Sequence, residues 1–215
     1  MQISLEQALQ MPDAALFAQT LESALKAENK KRQHFYELVE ENKKIEFING
    51  AIIFQSPVKL QHNRSTTLLA KLLDTFVVKN NLGVVGVEKL LISLTRNDYE
   101  PDICFFGKEK SKNFKKKQMQ FSAPDFVVEV LSDSTEKYDR ETKFQDYAAH
   151  GVQEYWIIDA DKEIVEQYFL QDEAYELLLK AKDGKIESIV LPDFKIPIQA
   201  IFNEQINLTA LATLI

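Results

Sequence analysis

The chain has a single cysteine, Cys104, in 215 residues. It can form no internal disulfide and no cysteine-rich zinc site, and among Ile103, Phe105 and Phe106 it reads as a small buried hydrophobe. The three histidines, His34, His62 and His150, are too widely spaced in sequence to nominate a histidine zinc centre. There is no glycine-rich phosphate loop and no serine nucleophile elbow. No apolar run approaches the roughly 18 residues a membrane span needs, and the start MQISLEQALQ lacks the basic segment and apolar core of a secretory leader. A reducing, cytoplasmic setting is the expectation. Positive charge is also scarce: 26 Lys and Arg against 33 Asp and Glu leave a formal net charge of −7. Coating nucleic acid by bulk electrostatics is thereby excluded, so any nucleic-acid contact must be local.

What is present is an ordinary globular composition, 45% hydrophobic and 27% charged, sized for one domain with appendages. Ser4 and Gln7 fit a capping box, and Leu16, Phe17, Leu21 and Leu25 recur at helical spacing, which predicts mostly helix from residue 4 to about 41, interrupted at Pro12. KIEFINGAIIFQS then predicts a hairpin turning on Asn49-Gly50, a dipeptide tolerant of positive φ. Leu68, Leu69, Leu72, Leu73 and Phe76 place a helix from Leu60 to about Asn80, with Gly83 as its stop. A strand over VVGVEKLLISL follows, then a turn through Arg96–Asp98 and a short strand at Asp102–Phe106. KEKSKNFKKK reads as an exposed loop. PDFVVEVL predicts a strand, Glu136 to Ala149 a helix ended by Gly151, and EYWIID another strand with Trp156 in the core. EIVEQYFL, AYELLLK and KIESIV resemble an antiparallel meander, and the chain from Pro192 a docked tail. The sum is one mixed-sheet α/β domain.

Acids stand in strands where apolar neighbours predict burial. Glu129 lies within Phe126-Val127-Val128-Glu129-Val130-Leu131, Asp102 opens its short strand behind Glu100 and Pro101, and Glu46 sits amid Ile45, Phe47 and Ile48. A buried carboxylate requires a partner, ordinarily a lysine or a metal ion. Mg²⁺ or Mn²⁺ could take Asp102, Glu129 and one backbone carbonyl, and Lys143, on the next helix, is positioned for an electrostatic role in phosphodiester hydrolysis. Plainer readings stand beside these: an exposed Asp102, a surface ion pair between Asp139 and Lys143 four residues on, and a cross-hairpin partner for Glu46.

The ordered blocks IEFINGAIIFQSP with His62, EPDI at Glu100–Ile103, PDFVVEVLSDST, the Asp139, Lys143, Tyr147 pattern and GVQEYWIID resemble the Uma family, classed with restriction endonucleases in the PD-(D/E)XK nuclease superfamily. The resemblance spans roughly residues 35 to 200. It implies a restriction-endonuclease-like α/β core, a central mixed sheet flanked by helices, over 35–215, with an N-terminal helical extension over 1–34. It further implies a DNA endonuclease, a homodimer, and metal ligation by Asp102, Glu129 and the carbonyl of Val130, with Glu46 and Lys143 completing the catalytic set. Leu131 occupies the position where the superfamily usually has lysine, and Lys143 on the next helix matches the family's displaced one; Asp133 replaces a frequent proline. His62 and Tyr147 are candidate supporting groups, and Lys115, Lys116 and Lys117 a candidate phosphate clamp, with a solvated loop as the plain alternative. A silent nucleic-acid-binding or assembly protein on the same fold, or a nuclease acting on RNA, are the rival functions.

Overall fold

The computed structural model describes residues 4–39 and 44–214. The helical start consists of α1 (Leu5–Leu9) and α2 (Ala14–Leu38), separated around Pro12 as expected, and Ser4 and Gln7 form the capping box. The end expected near residue 41 lies outside the described residues. The boundary expected after residue 34 falls within α2, whose Arg32 and Phe35 are buried in the body. Strands β1 (Ile45–Ile48) and β2 (Ala51–Phe54) form the hairpin, with Asn49 and Gly50 at φ 49° and 80°, the left-handed pair such a turn demands. Helix α3 (Leu60–Lys79) follows. Its stop differs from expectation: Asn81 takes the left-handed conformation at φ 52°, and Gly83 instead opens β3 (Gly83–Val87).

The single strand expected over residues 84–94 is two. After β3 the chain turns through Glu88 and Lys89, both at positive φ, into β4 (Leu91–Ser93), which belongs to another sheet. Then come β5 (Asp98–Tyr99), β6 (Ile103–Gly107), the helical turn α4 (Lys108–Ser111) inside the expected basic loop, β7 (Gln120–Phe121) and β8 (Phe126–Val130). The helix after β8 begins as a π-helical turn, Tyr138–Thr142, and continues as α5 (Lys143–Ala149). Gly151, at φ 72°, closes it. Beyond lie β9 (Glu154–Asp159), β10 (Ile164–Gln171), β11 (Ala174–Ala181), β12 (Lys185–Glu187), β13 (Lys195–Pro197), a 3₁₀ turn at Ile198–Ile201 and α6 (Glu204–Leu214). The meander holds for β9 to β11, whereas β12 pairs with β13 in a separate ribbon.

The main sheet runs β11-β10-β9-β8-β6-β3 and a second runs β2-β1-β5-β4-β7. Within the main sheet only β8 and β9 are parallel neighbours, and both are covered on two faces, which is why they read as continuous apolar runs. Phe126, Val128 and Val130 join α3, Trp156 and the C-terminal segment in one core, while Val127 joins Tyr147, Tyr155 and Ile157 on the α5 side. By alternation Glu129 falls on the α5 side. Glu154 is buried yet fully satisfied: its oxygens accept from Trp156 Nε1, Gln167 Nε2, Ser188 Oγ and the backbone N–H groups of Ile189 and Val190, so it ties the β12 segment to the sheet. Among the described residues no helix is long and apolar enough to cross a membrane.

Candidate active site

Strand pairing assembles the acids. β6 runs antiparallel to β8 with Ile103 opposite Val128, so the register brings Asp102 to the level of Glu129, and the next N–H along β8, that of Val130, donates to Asp102 Oδ2 at 2.8 Å. Asp102 Oδ1 takes Lys44 Nζ at 2.9 Å and lies 3.4 Å from His62 Nε2. Burial works against the ionised form, but His62 and Lys44 overcome it and hold the Asp102 carboxyl well below the usual carboxylate range. Asp102 is therefore charged and held rigid, and the reading of it as an exposed strand end is set aside.

Beside it lies a second cluster. Lys143 Nζ stands 3.0 Å from one oxygen each of Glu46, Glu129 and Asp139, with the lysine side chain only 1% exposed. Tyr147 donates its hydroxyl to Glu129 Oε1 at 3.3 Å, and the Tyr99 ring lies 5.8 Å from the ammonium. Burial pushes Glu129 well above the usual carboxylate range; Lys143 opposes the shift, while Asp139, Asp102 and Glu46 add to it. Burial alone would discharge Lys143, yet Asp139, Glu129 and Glu46 more than offset this and hold its ammonium well above the ordinary lysine range. Two expectations change. The Asp139–Lys143 pair is not a surface pair but part of a buried cage, and Glu46 finds its cation on α5 while its cross-strand neighbour is Ile53. Tertiary packing of the second sheet against α5 decides both.

Glu100 extends this acidic seam: its N–H donates to Glu46 Oε1, and its own Oε2 accepts from the Ile45 N–H. Burial first, then the Glu46 charge, push its carboxyl up to about 7. An unfolded glutamate releases its proton near ~4.3, so the folded state holds this proton longer and wild-type stability declines as pH rises from there to about 7. Glu100→Gln, which keeps an acceptor for Ile45, is expected to flatten that decline. Urea unfolding at pH 5 and pH 8 checks it; an equal decline in both proteins would refute the assignment.

A cavity of about 250 Å³ opens at the carboxyl ends of β8 and β9, lined by His62, Lys59, Leu131, Ser132, Ser134 and Asp161 among others. His62 thus links Asp102 to the cavity. The lysine run begins at the other end of β6, where Lys110 is tied to Asp125 and to the carbonyls of Ala123 and Pro124. Lys115, Lys116 and Lys117 are exposed, and among the described residues no hydrogen bond or ion pair joins them to Asp102 or Glu129. Lys44 was not singled out from sequence, and Asp139 was named there only as a surface partner of Lys143 and as part of the helix pattern, not as a site residue. A signal existed for Lys44, because in extended chain it shares a face with Glu46 two residues on.

The surroundings match known proteins. Residues 32–199 match the Uma2 family, described as "Putative restriction endonuclease". The chain belongs to the Uma2 family. An "Uncharacterized protein sll1609" from Synechocystis sp. is 32% identical over 127 residues, which cover 58% of this chain and 71% of that protein. A crystal structure described as that of "a putative nuclease belonging to DUF820" from Anabaena variabilis superposes with a TM-score of 0.66 at 22% identity. The superposition covers 78% of this chain and 94% of that one, and it shows a shared restriction-endonuclease-like fold. Family membership and fold together support nuclease function for this Uma2 chain at the level of class.

Proposed function

We propose that this Uma2 chain is a metal-dependent endonuclease that hydrolyses DNA phosphodiester bonds, with Asp102 and Glu129 at its centre. The observation that supports it best is the juxtaposition of a firmly ionised Asp102 with a cage of three acids around one lysine, beside an open cavity. Acids outnumber cations there, an imbalance a hard cation relieves. The donor set fits such an ion: carboxylate oxygens of Asp102 and Glu129 and the carbonyl of Val130 would hold Mg²⁺ or Mn²⁺, with water completing the coordination. Among the described residues no group of three His, Cys, Asp or Glu side chains is arranged as a metal site, so the backbone contribution is essential to this reading. The ion, when bound, supplies Lewis acidity toward a phosphoryl oxygen and a lowered pKa for water.

The chain's own groups do the rest. Lys143 holds Glu129, Glu46 and Asp139 together, and its enclosure supports a role in orienting Glu129 rather than one of reaching into solvent. Lys44 and His62 keep Asp102 ionised, Tyr147 steadies Glu129, and His62 presents an edge to the cavity where the phosphodiester would lie. Lys115, Lys116 and Lys117 would meet backbone phosphates away from the scissile one. Water adds across the P–O bond, its hydroxyl going to phosphorus and its proton to the leaving oxygen.

The burial of the whole cluster favours one second reading, a silent nucleic-acid-binding protein on the same fold. Titration of Mn²⁺ into wild type and Glu129→Gln, paired with plasmid nicking on the same samples, separates the two. Binding and nicking in the wild type, both abolished in the variant, are expected. Binding without nicking on duplex DNA, single strands or RNA would establish the silent scaffold, and nicking unchanged by both Glu129→Gln and Asp102→Asn would overturn the site. Cleavage of RNA alone would transfer the assignment to a ribonuclease.

A further inference from the structure

Both oxygens of Asp102 are taken. Oδ2 accepts the Val130 N–H, and Oδ1 faces Lys44 Nζ at 2.9 Å and His62 Nε2 at 3.4 Å. Of these two neighbours, Lys44 carries its charge on a flexible four-carbon stem. Its backbone is anchored just before β1: the Lys44 carbonyl accepts from the Gln55 N–H at 3.1 Å, and the Ile45 N–H donates to Glu100. Beyond that anchor the side chain is 17% exposed, against 1% for Lys143, so it can leave Asp102 without opening the core. His62, buried in the first turn of α3, has no such way out. Burial would discharge Lys44, yet Asp102 first and Glu129 next more than offset it and hold the ammonium above its ordinary range. Both side chains assigned to the divalent ion thus already act on a cation that the chain itself supplies.

We propose that Lys44 holds the place of the divalent ion in the ion-free protein and gives it up when the ion binds, its ammonium then being free to meet a phosphate oxygen of the substrate. This rests on the reading of Asp102 and Glu129 as ion ligands. A divalent cation and an ammonium on one carboxylate oxygen repel strongly in a partly buried site, so the two occupants alternate. The exchange leaves Asp102 facing a cation in either state, which spares the fold a bare buried carboxylate when no ion is present. The other lysines are committed elsewhere. Lys143 is locked among three carboxylates, Lys59 on the cavity lining is tied to Asp133 and Asp161, and Leu131 brings no charge. Lys44 is the lysine on Asp102 with both a reason and a path to move.

Lysine acylation of the full chain without DNA, read by mass spectrometry of its peptides, tests the exchange. Without divalent ions Lys44 is expected to react slowly and the exposed Lys115 fast. Saturating Mn²⁺ should raise Lys44 labelling severalfold, with Lys115 unchanged and the enclosed Lys143 still unlabelled. Titration of Mn²⁺ into Lys44→Met gives a second reading: without its internal competitor the site should bind the ion roughly tenfold tighter, while plasmid nicking falls. A residue that merely braced the site would lose both together. Lys44→Arg, which keeps a cation on Asp102, should bind Mn²⁺ no tighter than the wild type. Mn²⁺ binding with Lys44 still protected, labelling of Lys143 along with Lys44, no gain of affinity in Lys44→Met or an equal gain in Lys44→Arg would each overturn the exchange and leave the metal site standing. Absence of Mn²⁺ binding in the wild type and Lys44→Met alike would remove the metal site itself, and the exchange with it.

Discussion

Replacing Lys143 by methionine is expected to cost about 3–5 kcal/mol at neutral pH, because it removes the one cation shared by three buried carboxylates while filling its volume. The three oxygens each lie 3.0 Å from the ammonium, and no exposed route lets solvent replace it, since the lysine side chain is 1% exposed. The pH dependence has a definite sign. Glu129 is already raised well above the usual carboxylate range and Asp139 above its ordinary value, by burial first and then by neighbouring acids, with Lys143 opposing. Without Lys143 they rise further, so the folded variant binds protons more tightly than its unfolded chain and loses stability as pH increases. The deficit should therefore be largest at pH 8 and shrink toward pH 5. Urea titrations at both values measure it. A variant as stable as the wild type at pH 8 would mean that the cage is neutral without its lysine, and cleavage retained in that variant would remove Lys143 from the functional set.

The second large effect is expected at Arg32→Met, which leaves Asp98 buried and short of a cation. Arg32 Nε and Nη2 hold the two Asp98 oxygens at 2.6 and 3.0 Å, and the same guanidinium donates to the carbonyls of Leu94, Thr95 and Asn97. Tyr36 hydroxyl supplies one further donor to Asp98. Losing the fork strands a charge and several carbonyls at once, which again implies a loss of about 3–5 kcal/mol. Arg32→Lys should recover little, because a point ammonium cannot reproduce the fork. Arg32→Met combined with Asp98→Asn should recover part of the loss, since the stranded charge is then gone. Thermal and urea unfolding of the three variants decide the matter; a single variant within about 1 kcal/mol of wild type would show that α2 contributes little to the body's stability.

Glu129 was legible because a strand of otherwise apolar residues has no ordinary place for an acid. The turn at Asn49-Gly50 was legible because few dipeptides accept two positive φ angles, and α3 because its apolar period is unbroken. Local rules failed where one residue can serve two partners. The run from Val84 to Leu94 has the composition of one strand, yet Glu88 and Lys89 bend it between two sheets. Asp139 and Lys143 have the spacing of a surface pair, and nothing within their helix tells that Glu46 and Glu129 close over them. Lys44 adjoins an undistinguished stretch, and only the register of β1 against the body sets it on Asp102.

By itself the sequence determined the class of the fold, the succession of most of its helices and strands, and which acids could not be idle. These depend on short-range periodicity, turn chemistry and the cost of burying charge, all of which act within a few residues. The tertiary structure alone decided the pairing of those acids with their cations and the burial of the Lys143 cage. Each depends on contacts between segments far apart in the chain, where the energy of a charge or an apolar face is set by what another element brings against it.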